Sequence, residues 1–367
     1  MSTRPILASA PGKLYLAGEY AVLEPGEPSL VVAIDRRLHA RVLPASDFTF
    51  SSESLGMQHQ TATYEQGTWS VPSGPAPRLH FAKAAVNTTL SYLRECAETI
   101  SPFALSLEGS LENPEGLKYG FGSSAAVTVA IVGALLASYG VSPDTSLVFK
   151  LAAIAHYSTQ ASGSGFDIAA STYGGAIRYV AFDPTWLKEQ ISRPHDLREL
   201  VDAEWPWLGI ETIEWPEGLL LGVGWTGKPA STAHLIKAVG ETASKRTSAY
   251  ARFLIEARQA TNTLVAALRE GEMERAVQTL KAARHALRGL QAESGVAIET
   301  DLLAAFADAA EACGGSGKSS GAGGGDCGVA LFTNEDDRER AKAAWKAAGV
   351  EPLDVEISTA GLQLLRL

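Results

Sequence analysis

The sequence predicts an α+β fold of two lobes. Strand and helix patterns occur in both halves, without the regular βαβ spacing of a doubly wound sheet. The beginning is strand-heavy, whereas helical patterns dominate residues 232–313. The 367 residues, 46% of them apolar, suffice for sizeable cores and two domains. The division is set at an N-terminal lobe of residues 1–205 and a C-terminal lobe of residues 206–367.

The elements follow in order. Apolar runs at 6–10 and 29–34 read as strands, with 14–22 between them as a loop or partly extended segment. Further strands are expected at 37–42 and 47–51, before a polar, turn-rich stretch at 56–73. Ala82, Ala85, Val86, Thr89, Leu90 and Leu93 recur at helical spacing within 80–96. Residues 103–109 alternate as a half-buried strand does. A glycine–serine loop and an apolar helix ending near Tyr139-Gly140 come next, then a helix over 146–158. Asp183-Pro184, Pro194 and two Trp-Pro pairs mark an exposed connection between the lobes within 185–215. A strand is expected at 218–224, helices at 255–268, 273–289 and 297–312, and strands at 327–332, 353–357 and 362–367. A helix at 336–347 separates the first two of these strands.

Charge and composition exclude several classes. The formal net charge is −10 and no basic tract stands out, which argues against a nucleic-acid partner. The three cysteines, Cys96, Cys313 and Cys327, are odd in number and lack close metal-ligand spacing. They point to a reduced, intracellular protein without structural zinc. The apolar stretch 125–138 falls short of a membrane span of about 20 residues. A soluble cytoplasmic protein is expected.

Three glycine-rich regions and one aspartate carry the chemistry. Gly120-Phe121-Gly122-Ser123-Ser124-Ala125-Ala126 opens the apolar helix. Such a loop aims amides and hydroxyls at one spot suited to phosphate, and either serine can supply an oxygen to Mg²⁺. It lacks the Gly-Lys-Ser/Thr of a Walker A motif and also reads as a serine-capped helix. Pro11-Gly12-Lys13 bends the chain, and Lys13 can neutralise a phosphate oxygen or remain solvated. Tyr15 and Glu19 can orient a polar substrate. Residues 314–328, with Lys318, Ser320, Gly323, Gly324 and Asp326, feed directly into a strand. They therefore read as a second phosphate-facing loop rather than a linker. Asp167 follows Ser162-Gly163-Ser164-Gly165-Phe166 and reads either as a base or orienting carboxylate, or as a helix N-cap. His156 lies in a helical pattern and reads as a packed or surface histidine. Together, two phosphate loops, a lysine and an aspartate match the needs of phosphoryl transfer.

With these motifs in this order, the chain resembles the galactokinase–homoserine kinase–mevalonate kinase–phosphomevalonate kinase (GHMP) superfamily. Within it, Gly224-Trp225-Thr226-Gly227-Lys228-Pro229-Ala230-Ser231-Thr232 and Gly323-Gly324-Gly325-Asp326-Cys327 are similar to the phosphomevalonate kinase branch. The resemblance implies a ribosomal protein S5 domain 2-like N-terminal lobe and a ferredoxin-like C-terminal lobe. It implies ATP with its phosphates at Gly120, Phe121, Gly122, Ser123, Ser124 and Ala125, accompanied by Mg²⁺, for which Ser124 is the candidate ligand. The implied acceptor is 5-phosphomevalonate, with Lys13 and Asp167 as catalytic residues. Tyr15, Glu19, Ser231, Thr232, Lys318, Ser320, Gly323, Gly324 and Asp326 are the implied substrate contacts. Phe121 stands where leucine is common, a conservative apolar change. Mevalonate kinase and diphosphomevalonate decarboxylase are the neighbouring enzyme readings, and the 224–232 segment argues against both. A catalytically inactive small-molecule sensor is the reading of another class, opposed by Lys13, Ser123, Ser124 and Asp167. A homodimer is left open.

Overall fold

The computed structural model describes residues 4–72, 77–109, 111–112, 116–160, 163–193, 196–230, 232–243 and 248–367. The chain runs through β1 (Ile6–Ala17), β2 (Pro28–Pro44), β3 (Thr49–Ser52), β4 (Met57–Thr61), β5 (Thr63–Glu65) and β6 (Thr68–Ser70). It continues through α1 (Pro77–Glu95), β7 (Phe103–Glu108), α2 (Ser123–Ser138), α3 (Thr145–Gln160), α4 (Phe166–Tyr173), β8 (Ala176–Val180), α5 (Pro184–Ser192), α6 (Leu197–Asp202) and β9 (Gly209–Ile213). With the C-terminal strand β14 (Gln363–Arg366), they build an eight-stranded sheet with β14-β1-β2-β7-β3-β4 as its spine, β8 paired to β2 and β9 to β8. The strand β5 pairs only with β6, in a separate hairpin.

Residues 14–17 are strand, where a loop or partly extended segment was expected. β1 runs antiparallel along β2 from Ile6↔Val42 to Ala17↔Leu30, with register shifts at Pro11/Gly12 and Tyr15/Ala17. Proline has no amide to give the ladder, so Pro11 sits where the pairing slips. The slip re-aims Lys13 without ending the strand. The expected strands 29–34 and 37–42 are one long strand, β2.

α2 is apolar on every side and correspondingly buried, from Ala125 to Leu136. It packs against α1, α3, β1 and β2. This anchors the loop at its N-terminus to the centre of the lobe.

The segment expected as an exposed connection is folded instead. Asp183 caps α5 by accepting from the Thr185 and Trp186 amides at 2.8 and 3.2 Å, with Pro184 in the first turn. Trp205 is buried, and its Nε1 donates to the Leu200 carbonyl at 3.0 Å. β9 then pairs with β8 at the sheet edge. Aromatic burial supplies the cohesion that a proline-rich composition conceals.

The second sheet is built from β10 (Leu220–Trp225), β11 (Ser316–Ser319), β12 (Cys327–Phe332) and β13 (Glu351–Leu353), in the order β11-β12-β10-β13. All its pairings are antiparallel. Helices α7 (Thr232–Ala243), α8 (Ser248–Glu270), α9 (Met273–Ser294) and α10 (Asp301–Ala312) lie between β10 and β11 in the chain, and α11 (Glu335–Ala347) lies between β12 and β13. Strand order and connectivity are those of a ferredoxin-like lobe, so the two-lobed α+β expectation holds. β11 lies within the glycine-rich residues 314–328, which were read as a loop feeding the strand at 327–332.

The chain finally returns to the first sheet, where β14 (Gln363–Arg366) pairs with β1. Arg37 ties down the approach. Its guanidinium donates to Ser358 Oγ at 2.9 Å and to the carbonyls of Ala360 and Gly361 at 3.0 and 2.5 Å, as well as to Ser9. One hydrophobic cluster runs continuously through both sheets. No described helix is long and apolar enough to cross a membrane.

Candidate active site

Residues from all three glycine-rich regions meet where β1, the loop before α2 and the loop after β11 come together. Lys13 is buried, and its Nζ donates to the Gly120 carbonyl at 2.9 Å. Its backbone amide donates to the Phe121 carbonyl at 2.9 Å. The same ammonium lies 5.7 Å from the centre of the Phe166 ring, within cation–π range. Burial pushes the Lys13 pKa below its ordinary value, and the carboxylates of Asp167, Asp326 and Glu19 pull it back up.

Gly120 has φ 88°, and a side chain there would meet Asp326 at 2.8 Å. Only glycine suits both demands. Gly122, also left-handed at φ 76°, precedes α2 and provides no side-chain cap. The amides of Ala125 and Ala126 turn back to the Gly122 carbonyl. Those of Ser123 and Ser124 have no hydrogen-bond acceptor among the described residues. A helix N-terminus with uncapped amides, flanked by half-buried serine hydroxyls, fits a phosphate group. Ser124 Oγ is 3.1 Å from Nε2 of His156.

The third region contributes its backbone and Asp326. Asp326 adopts φ 51° and accepts at Oδ1 from the Ala230 amide at 3.0 Å. Its carbonyl accepts from both the amide and the hydroxyl of Thr226, each at 3.0 Å. Burial raises the Asp326 pKa above its ordinary value, opposed by the Ala230 amide and then by Lys13 and Lys118. Ser320 Oγ accepts from the Tyr15 amide at 2.8 Å and so ties the loop to β1. Gly323 lies on the backbone of Ile298, where a side chain would approach its carbonyl to 2.2 Å, and the Gly324 amide donates to that carbonyl at 2.8 Å.

Asp167 is half-buried in the first turn of α4, and its Oδ1 accepts from the Ile168 amide at 3.0 Å. The N-cap of α4 is Gly165, so Asp167 does not hold that position. The buried Tyr15 ring packs on Phe166 with centroids 4.2 Å apart, and burial raises its hydroxyl pKa well above the ordinary value. Glu19 and Lys318 are directed at each other. They form an ion pair between the end of β1 and β11, 3% and 0% exposed respectively. Lys318 Nζ also donates to the Ser319 carbonyl at 2.6 Å. Ser231 lies outside the described residues. Thr232 begins α7, and its side chain also lies outside the description.

Lys13, Gly120, Phe121, Gly122, Ser123, Ser124, Asp167 and Asp326 therefore belong to one neighbourhood, whereas Glu19 and Lys318 are consumed by their own pairing. His156, Thr226 and Phe166 had no assigned role in the sequence reading. Thr226 lay inside the recognised 224–232 segment. His156 was read only as a packed or surface histidine and nothing local marked Phe166, since the contacts of both are made across the fold. No cluster of three metal-binding side chains occurs among the described residues. A magnesium ion brought by a nucleotide would there have to draw most of its ligands from phosphate and water.

The description "GHMP kinases N terminal domain" matches residues 80–175, and "GHMP kinases C terminal" matches residues 264–351. A phosphomevalonate kinase of Streptomyces sp. (strain CL190) is 37% identical, covering 98% of this chain and 99% of that protein. The crystal structure of the Lin0012 protein from Listeria innocua superposes with a TM-score of 0.92 at 32% identity, covering 98% of this chain and 99% of that one. The Streptococcus pneumoniae phosphomevalonate kinase, in complex with phosphomevalonate and AMPPNP, gives 0.83 at 28% identity, covering 96% and 99%.

Removing either partner of the Glu19–Lys318 pair leaves a buried charge unmatched. Lys318→Met or Glu19→Leu alone should cost about 3–5 kcal/mol in urea unfolding, and the double variant should recover most of that. Single variants of wild-type stability would refute the cost of an unmatched buried charge. For Asp326, a pKa raised above 3.8 means that the folded state binds the proton more tightly than the unfolded state. Its contribution is thus favourable at low pH and declines as pH rises through the folded value. Asp326→Asn keeps an acceptor for Ala230, so its Tm should improve relative to the parent as pH is raised from below 3.8 to neutrality. A constant difference across that range would contradict the raised value.

Proposed function

The chain belongs to the GHMP kinase family, and from that premise we propose that it is an ATP-dependent phosphomevalonate kinase. It transfers the γ-phosphoryl group of ATP to 5-phosphomevalonate, giving ADP and 5-diphosphomevalonate. The observation that carries the substrate assignment is end-to-end identity of 37% with the Streptomyces phosphomevalonate kinase. We place it in the cytoplasm, in keeping with its acidic composition and unpaired cysteines.

The acceptor is a phosphate, with a second pKa of about 6, so its attacking oxygen is largely ionised at neutral pH. That oxygen attacks the γ-phosphorus while the bond to the β,γ-bridging oxygen breaks and ADP leaves. The difficulty is charge, because two anions must approach in line. The Ser123 and Ser124 amides and the α2 dipole hold the nucleotide's phosphates. Lys13 turns its ammonium from the Gly120 carbonyl to the oxygens between acceptor and donor. Asp167 orients that ammonium and the acceptor, with less demand on it as a base than an alcohol would impose. Magnesium, when bound with ATP, neutralises charge on the transferring group, and Ser124 and Asp167 would hold it. Asp326 and Ser320 keep the third loop against Gly120 and Tyr15, with Gly323 and Gly324 seated on Ile298. Glu19 and Lys318 fix the seating of the lobes rather than touching substrate. Ser231 and Thr232 are assigned to the acceptor on their place in the 224–232 motif.

ADP release should be measured in parallel with mevalonate, 5-phosphomevalonate and 5-diphosphomevalonate, with product masses recorded. Strong preference for 5-phosphomevalonate, with gain of one phosphoryl group, is expected. Preference for mevalonate, or loss of carbon dioxide, would move the protein to a sister activity. Lys13→Met should lower kcat by about 10²-fold or more. Asp167→Asn should cost less than about 10²-fold, with nucleotide affinity largely kept. Unchanged turnover in either variant would remove that residue from the mechanism.

A further inference from the structure

His156 has no part in the chemistry above, yet its surroundings are specific. It lies on α3 and is 6% exposed. Its ring stacks on Phe81 of α1, with centroids 4.8 Å apart and planes 28° from parallel. Its Nε2 is 3.1 Å from Ser124 Oγ, at the N-terminus of α2. The Ser124 carbonyl is separately held by the Thr128 hydroxyl at 2.8 Å. A buried imidazole costs free energy unless a ring nitrogen is satisfied, and the partner it finds is the hydroxyl assigned to the nucleotide. Stacking fixes the ring plane. A fixed ring nitrogen in turn restricts a serine hydroxyl that is otherwise free to rotate.

We propose that His156 is a positioning residue for ATP binding, setting the rotamer and proton direction of Ser124 so that this hydroxyl faces the nucleotide's phosphate–magnesium group. The inference rests on the ATP site assigned above. If Nε2 accepts the serine proton, the serine lone pairs face the ligand and suit the metal. If Nε2 donates, the serine proton faces the ligand and suits a phosphate oxygen.

The test is calorimetric binding of AMPPNP, with excess magnesium and again with EDTA, to His156→Phe, Ser124→Ala and the double variant. Phenylalanine keeps the stack on Phe81 and removes the hydrogen bond. His156→Phe should weaken AMPPNP by about 10-fold, with the KM for 5-phosphomevalonate unchanged. It should cost nothing further in the Ser124→Ala background. His156→Gln, which can restore a hydrogen bond to Ser124, should recover most of the affinity, and it carries the test if the phenylalanine variant fails to fold. Loss confined to magnesium assigns the hydroxyl to the metal, and equal loss in EDTA assigns it to phosphate. Both support positioning. Wild-type affinity in His156→Phe beside weakened Ser124→Ala, or independent losses adding in the double variant, overturns the inference alone. Wild-type affinity in Ser124→Ala removes the hydroxyl from nucleotide binding and overturns this inference, whereas failure of the parent protein to bind AMPPNP at all would overturn the ATP-site reading on which it rests.

Discussion

The ion pair between Glu19 and Lys318 is the contact on which the site's geometry depends. Glu19 follows β1 and Lys318 lies in β11, so the pair joins the two sheets next to the residues that meet the ligands. Its burial makes it exacting. Two charges removed from water are tolerated only at close range with their other hydrogen bonds made, and Lys318 adds the Ser319 carbonyl to its contacts. A small shift between lobes would leave both groups desolvated and apart. Ser320, the second residue after Lys318, is the one that receives the Tyr15 amide. The register that satisfies the pair therefore also sets the third loop against the first.

The same logic explains how an acidic chain handles phosphates. Its formal net charge is −10, yet the Lys13 ammonium is held beside the glycine loop that leads into α2. Burial makes the protonated state of Lys13 costly, and nearby carboxylates offset part of that cost. In the proposed reaction, phosphate ligands would add negative charge beside it and favour the charged form further. The ligands and the charged lysine thus stabilise one another, and the carboxylates hold the ammonium in the interval before binding.

Local patterns made much of this legible. The apolar run after the Gly-Ser loop could only be a buried helix, and α2 is buried along nearly its whole length. Lys13 and residues 120–126 were singled out because phosphate chemistry demands glycine, hydroxyl and cation in short order, and the fold brings them together. What escaped was set by distant pairing. Residues 14–17 looked like loop because Pro11 and Gly12 break strands in general, whereas here they occupy a register shift in a longer ladder. The part of residues 314–328 before the expected strand at 327 looked like loop because Gly-Ser-Gly-Lys has no strand signature, yet β12 supplies the partner that makes β11. Lys318 and Glu19 looked like ligand contacts because a sequence separation of 299 hides that they meet.

His156 carries that argument to its end. A histidine within an apolar helical pattern is most simply a packed side chain, and it is one, stacked on Phe81. Packing and orientation are not alternatives here. The stack immobilises the ring, and immobility is what allows its nitrogen to direct Ser124. α2 fixes the serine backbone from one side while α3 fixes the hydroxyl from another, so a loop otherwise free to adapt is held from two helices. Phosphoryl transfer asks the protein mainly for placed charge and placed hydrogen bonds. Side chains remote from the reacting atoms can therefore shape this reaction by what they hold still.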